Sequence, residues 1–173
     1  MSSVSSVSSV HVRAGAADDL PALTGLYNHY VLHDHATFDV EPFTVEARRH
    51  WFDHYADTGP HRLLVAERAG TVVGYATSSA HRAKPAYATS VETTVYCAPD
   101  VVGRGVGSAL YTALLDVLAG EDVHRAYAGV ALPNDASVRL HERFGFRDLG
   151  TFHEVGRKLG RWVDVQWFER PLP

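Results

Sequence analysis

Val91-Glu92-Thr93-Thr94-Val95-Tyr96 is followed, seven residues on, by Gly103-Arg104-Gly105-Val106-Gly107-Ser108. An apolar run then carries Leu110, Tyr111, Leu114, Leu115 and Leu118 at helical spacing. The first segment is rich in β-branched residues and reads as a strand, closed by Pro99. The second reads as a turn that opens a helix near Gly105 or Ser108. Its glycines tolerate positive φ and close approach, so several main-chain N–H groups can point into one concavity. The helix adds the positive end of its dipole. Together these suit a pyrophosphate; the alternative is a flexible loop that contains glycines. A P-loop needs Lys before the Ser or Thr that follows its last glycine, and here Ser108 follows Gly107 directly. A dinucleotide fingerprint needs two residues between its second and third glycines, and here only Val106 stands there.

Outward from this stretch, the pattern alternates strands and helices. Val10 to Arg13 is expected to be a strand. Asp18 can cap a helix bearing Leu20, Leu23, Leu26, Tyr27, Tyr30 and Val31, and Thr44 can cap a second running to about Tyr55. Leu63 to Glu67 and Val72 to Thr77 read as strands around a tight turn. His81 to Thr89 is expected to be a polar loop. Beyond the apolar helix, which Gly120 stops, come a strand over Arg125 to Val130 and a helix over Ala136 to Phe144. Two strands, Phe146 to Phe152 and Trp162 to Phe168, are expected to pair. Hairpins mixed with helices predict a mixed sheet of the α/β or α+β class.

The 173 residues suit one domain. With 46% apolar and 21% charged residues the chain is expected to fold and to be soluble, and its net charge of −4 gives no pull toward nucleic acid or anionic membrane. The single cysteine, Cys97, cannot form an internal disulfide, which fits a reducing cytoplasm. Residues 1–10 hold a Ser-Ser-Val repeat with no cationic start and no long apolar run. They are expected to be a disordered tail rather than a signal peptide or membrane helix, ahead of a single domain over 11–173.

The glycine stretch Val102 to Gly107 resembles the CoA pyrophosphate motif of the GNAT superfamily of acyl-CoA N-acyltransferases. Glu92-Thr93-Thr94-Val95-Tyr96, the stretch Leu132 to Glu142, the stretch Lys158 to Val165, Asn28-His29-Tyr30 and Glu41-Pro42 further resemble the phosphinothricin N-acetyltransferase family. The likeness spans residue 11 to the end. It implies a GNAT fold, a mixed, mostly antiparallel central sheet flanked by helices. It also implies acetyl-CoA as co-substrate, a homodimer, and an amino acid-like acceptor of the phosphinothricin or methionine sulfoximine and sulfone type. Two departures stand out. Val102 replaces the usual Gln or Arg, and the family's Lys-x-Arg reads Arg82-Ala83-Lys84 here.

Glu92 is a local misfit between β-branched residues, and misfits tend to be functional; the alternative is an exposed strand face. As a general base it would free the acceptor amine's lone pair. The resemblance implies that His141, on the last helix, assists proton transfer to the leaving thiolate. By itself a helical histidine is more often a packed or surface residue. The resemblance also sets acetyl-CoA along Thr94, Val95 and Tyr96, its pyrophosphate on Val102, Gly103, Arg104, Gly105, Val106, Gly107 and Ser108, and its pantetheine arm near Asn134 and Ser137. Asn134 could equally be a helix cap. Main-chain N–H groups near Val95 or Tyr96 are expected to stabilise the oxyanion.

Arg82, Lys84 and Tyr87 are expected to contact a substrate anion; otherwise they form a solvated basic loop. Phe38 either walls the site or joins the core. Cys97 reads as a small apolar filler. The pairs His50/His54 and His29/His33 lack a third ligand, so no metal is expected. Transfer to another amine, such as a peptide N-terminus, and a non-catalytic acyl-CoA sensor remain the alternatives. A polyamine is disfavoured because it would meet Arg82 and Lys84 with like charge.

Overall fold

Strand pairing around the Glu92 segment organises the molecule. The computed structural model describes residues 9–173. Its strands are β1 (His11–Ala14), β2 (Arg62–Arg68), β3 (Thr71–Ala80), β4 (Ser90–Cys97), β5 (Arg125–Ala131), β6 (Arg147–Lys158) and β7 (Arg161–Pro171). Its helices are α1 (Leu20–His33), α2 (Val45–Phe52), α3 (Val106–Leu118) and α4 (Asp135–Arg143). One sheet runs in the order β1-β2-β3-β4-β5-β7-β6, antiparallel throughout except for the parallel pair β4–β5. This is the expected mixed α/β sheet. The expected tail lies outside the described residues apart from Ser9 and Val10, and Val10 packs against the core.

Side-chain alternation along β4 sends Val91 and Thr93 to one face of the sheet and Glu92, Thr94 and Tyr96 to the other. On the first face Val91 meets Val106, Leu110, Leu114 and Leu118, which form one stripe along α3 and are at most 1% exposed. Burying each such side chain stabilises the fold by about 1.5–3 kcal/mol. On the second face a smaller cluster of Leu23, Leu63, Val65 and Tyr75 lies under α1 and α2.

Several boundaries differ from the sequence expectation. Asp18 caps nothing: a 3-10 turn over Ala17–Asp19 precedes α1, and Asp19 binds the Arg13 guanidinium instead, at 2.7 Å. Helix α2 ends at Phe52 rather than Tyr55, and its last residues close in a turn (Tyr55 N–H to Phe52 C=O, 3.1 Å). Strand β3 runs to Ala80 rather than Thr77, and the connection from His81 to Thr89 falls where expected, with Pro85–Tyr87 forming a 3-10 turn within it. Strands β6 and β7 pair as expected but are longer. Register shifts after Asp148 and Phe152 break the alternation by which a strand is read. The hairpin closes at Leu159-Gly160, both with positive φ, the geometry of a two-residue turn matched to strand twist.

Two ties hold the α1–α2 connection over the sheet. The Asn28 side-chain amide donates to Phe43 C=O and accepts from Phe43 N–H at 2.8 and 2.9 Å. Buried Lys158 donates its Nζ to the carbonyls of Tyr30 and Thr37 at 3.0 and 2.7 Å.

Candidate active site

Strands β4 and β5 pair only at Ser90↔Arg125, Val91↔Ala126 and Glu92↔Tyr127. Beyond Glu92 they part. Antiparallel pairing with β3 uses the main-chain groups of alternate residues; the bonds His81 N–H to Ser90 C=O and Ala98 N–H to Val73 C=O show that the even-numbered residues of β4 face β3. The N–H and C=O of Val95 therefore point into the split. Those of Tyr96 point at β3, so of the two expected oxyanion donors only Val95 is available.

The split opens into a cleft of about 620 Å³ lined by Thr93 to Cys97, Gly103, Gly105, Gly107, Ser108, Asn134, Ser137 and His141. At one end lies the glycine turn. Gly103 and Gly105 have φ of 78° and 83°, and a Cβ on either would meet no atom within 4 Å, so backbone conformation alone demands glycine there. Gly107 has a different reason. A Cβ there would come within 3.2 Å of Leu140, so it sets the approach of α3 to α4. The Arg104 N–H is already spent on Val101 C=O at 3.1 Å. The free donors are those of the first turn of α3, at Val106, Gly107 and Ser108. Val102 is exposed and lines the same end. Arg139 and Arg143 of α4 also line the cleft. The sequence reading missed them, although their i,i+4 spacing puts both on one helix face.

Glu92 stands at the last paired position. Burial raises its pKa above the ordinary carboxylate value, with nearby Arg82 opposing the rise. Its Oε2 lies 3.8 Å from His81 Nδ1, a buried atom with no hydrogen-bond partner. The His81 ring stacks on Tyr127 with centroids 4.3 Å apart, and burial lowers its pKa, which favours the neutral ring. The sequence marks His81 only as the start of a loop. The strand spacing of Glu92 gave no sign of this neighbour.

His141 lies on the opposite face from Glu92 and is 3% exposed. Its Nδ1 is 2.7 Å from Ser137 C=O, and its Nε2 is 2.7 Å from the Tyr111 hydroxyl. A carbonyl only accepts, so Nδ1 carries the proton and Tyr111 O–H donates to Nε2. Burial lowers the His141 pKa. Asn134 is the N-cap of α4, its Oδ1 accepting from Ser137 N–H at 3.1 Å, and it lines the cleft as well.

Under α1 and α2, on the Glu92 face, lies a second cavity of about 220 Å³. Thr94 and Tyr96 line both cavities, so they form the wall between them. Phe38 is half-exposed, with its ring against Gly156, where a Cβ would meet it at 2.3 Å. Tyr87 is within 6.1 Å of the His81 ring, centroid to centroid. Lys84 is exposed and forms no side-chain hydrogen bond or ion pair among the described residues. Cys97 packs against the core, and burial raises its thiol pKa to about 11, so it is held as the protonated thiol. Among the described residues no group of three His, Cys, Asp or Glu side chains could hold a metal ion, and no helix is long and apolar enough to cross a membrane.

A sheet split wide enough for an extended chain, with main-chain donors at a glycine turn and a half-buried carboxylate where the strands part, suits a group-transfer enzyme that handles a long phosphorylated donor. The model of the Acetyltransferase (GNAT) family matches residues 26–146, and the chain belongs to that family; it is an acetyltransferase. It is 62% identical over 165 residues to a phosphinothricin N-acetyltransferase of Streptomyces coelicolor, covering 94% of this chain and 96% of that protein. It is 33% identical to an L-methionine sulfoximine/L-methionine sulfone acetyltransferase of Pseudomonas aeruginosa, covering 95% of each. Among solved structures, a phosphinothricin acetyltransferase from Sinorhizobium meliloti in complex with AcCoA superimposes with a TM-score of 0.89 at 30% identity, covering 94% of this chain and 88% of that one.

Proposed function

We propose that this enzyme moves the acetyl group of acetyl-CoA directly to the α-amine of a small amino acid-like acceptor of the phosphinothricin or methionine sulfoximine and sulfone type. The observation that carries this reading is the split beyond Glu92, which lets a thioester in the cleft meet an amine on the opposite face of the sheet. The pyrophosphate lies on the donors of Val106, Gly107 and Ser108, supported by the turn at Gly103 and Gly105, and the pantetheine arm runs past Asn134 and Ser137. Glu92, directly or through a water, takes a proton from the substrate ammonium. The freed lone pair attacks the thioester carbonyl, and Val95 N–H stabilises the oxyanion. The C–S bond then breaks, and the excess proton on the nitrogen that attacked passes to the departing thiolate, leaving the amide and CoA thiol. No acyl-enzyme forms. Arg82, Lys84 and Tyr87 hold the acceptor carboxylate, and Phe38 walls the site.

His141 assists protonation of the thiolate. Its N–H is committed to Ser137 and its ring is held neutral, so this contribution is secondary to that of Glu92. We assign the enzyme to the cytoplasm, since its lone thiol fits a reducing compartment. We assign it a homodimeric state as well: Phe152, Val155, Leu159 and Trp162 expose an apolar surface on the β6–β7 hairpin that a second copy would cover.

A thiol-release assay with acetyl-CoA across amino acids and their sulfone, sulfoximine and phosphinate analogues tests the activity. Release confined to these acceptors supports it; release with none of them, alongside intact acetyl-CoA binding, defeats it. Light scattering on the eluting protein tests the dimer.

A further inference from the structure

Arg48 is the buried member of α2, 4% exposed. Its guanidinium carbon sits 3.9 Å from the centroid of the Trp51 ring and 4.2 Å from that of Tyr27. Such a sandwich covers the two faces of the guanidinium, while all five N–H donors point outward in its plane. Nε is buried with no hydrogen-bond partner, and the side chain makes no ion pair among the described residues. The guanidinium lies beside the Tyr75 hydroxyl and lines the 220 Å³ cavity. The one carboxylate on that cavity, Asp39, is held by the Tyr27 hydroxyl. A buried cation without a paired anion is costly, and such a group in a native fold calls for an explanation.

The cavity's position supplies one. Thr94 is two residues from Glu92 on the same face of β4, and Ser79 is paired with Glu92 across β3; both line the cavity. Two residues along a strand span about 7 Å. The cavity thus runs along the sheet from beside Glu92, and Arg48 reaches it from α2 rather than from β4, a placement that suits a group down the acceptor's side chain.

We propose that Arg48 is the anion-binding residue of a side-chain subsite. It takes the distal oxyanion, a phosphinate or carboxylate, of an acceptor whose α-amine meets Glu92. This rests on the amino acid acceptor proposed above and adds which end of that acceptor the α2 cavity selects. Asp39 lines the same cavity and disfavours a second negative charge there, so a single distal anion is preferred.

The test is steady-state kinetics of wild type, Arg48→Met and Arg48→Lys with three acceptors: phosphinothricin, with an anionic side chain; methionine sulfone, with a neutral oxo group; and 2-aminobutyrate, with neither. Calorimetric titration of the same acceptors into CoA-loaded protein provides a readout independent of turnover. Arg48→Met is expected to weaken phosphinothricin by roughly 10- to 100-fold in KM and in Kd. Methionine sulfone should weaken less and 2-aminobutyrate by under about threefold, with the KM for acetyl-CoA unchanged. Arg48→Lys should recover part of the phosphinothricin affinity. An equal loss for all three acceptors, or none, would overturn the subsite and make Arg48 a packing residue. If Arg48→Met does not fold, Arg48→Lys decides the matter by the same ratio of phosphinothricin to 2-aminobutyrate. Wild type that turns over none of the three but binds phosphinothricin through Arg48 would instead sink the proposed activity and keep the site.

Discussion

The two faces of the sheet treat polar side chains differently. On the α3/α4 side the cluster around Val91, Leu110 and Phe168 excludes water, and the polar groups inside it are matched. His141 has a partner on each nitrogen, and the Tyr111 hydroxyl is shared with Thr93 at 3.2 Å. On the α1/α2 side the apolar cluster is small, and polar atoms are left over: His81 Nδ1 beside Glu92, and Arg48 Nε among aromatic rings. Leaving buried polar atoms unpaired costs about 1–3 kcal/mol each. Of the three such atoms among the described residues, these two lie beside Glu92 and the 220 Å³ cavity, while the third, Arg68 Nε, is at the end of β2 and lines neither cavity. The comparison thus separates a matched, packed face from the face on which the proposed acceptor would lie, and identical residue types mean different things on each.

The sharpest way to break this contrast is Glu92→Gln. It removes the proposed base with little change of shape, and turnover with the preferred acceptor should fall by about 10²–10⁴-fold. Turnover equal to wild type at neutral pH would remove Glu92 from the chemistry. His141→Ala is expected to behave in the opposite manner. It opens the packed face and leaves Tyr111 without its acceptor, so the fold should lose about 2–3 kcal/mol in urea unfolding. The turnover of the folded fraction should stay within about tenfold of wild type. A loss as large as that of Glu92→Gln, in protein of normal stability, would make His141 an equal partner in the reaction.

Gly105→Ala should have a smaller effect. Forcing a Cβ residue to φ of 83° costs about 1–2 kcal/mol. If the turn relaxes, the donors of α3 lose alignment, and the KM for acetyl-CoA should rise while the acceptor KM holds. The gentlest probe is pH. Because burial raises the Glu92 pKa, the acid limb of kcat/KM should lie above the ordinary carboxylate range of about 4.3 and vanish in Glu92→Gln. The sign for stability follows from the same shift. Ionising Glu92 is harder in the folded state, so its penalty is absent below the unfolded pKa and grows as pH rises through the folded one. Glu92→Gln should therefore melt higher than wild type at neutral pH, and this gain should disappear in acid. A gain that persists at low pH would show that charge is not its source.

Periodicity alone carried much of this architecture. The stripe Leu110, Leu114, Leu118 and the alternation through Val91, Thr93 and Val95 predict α3 and β4 because both periods are local properties of the chain. The glycines of the 103–107 turn, and Glu92 as a charge out of place, were visible for the same reason. Strand ends were less legible where bulges at Asp148 and Phe152 interrupt the period. What tertiary structure alone decided was company. The parting of β4 from β5 makes a cleft out of an ordinary strand. Crossing the sheet puts Glu92 and His141 on opposite faces. Chain segments far apart in sequence bring Tyr27 and Trp51 around Arg48, and Tyr127 beneath His81. A sequence states which side chains exist and at what local spacing; whether a buried charge has a partner depends on segments that meet only after folding.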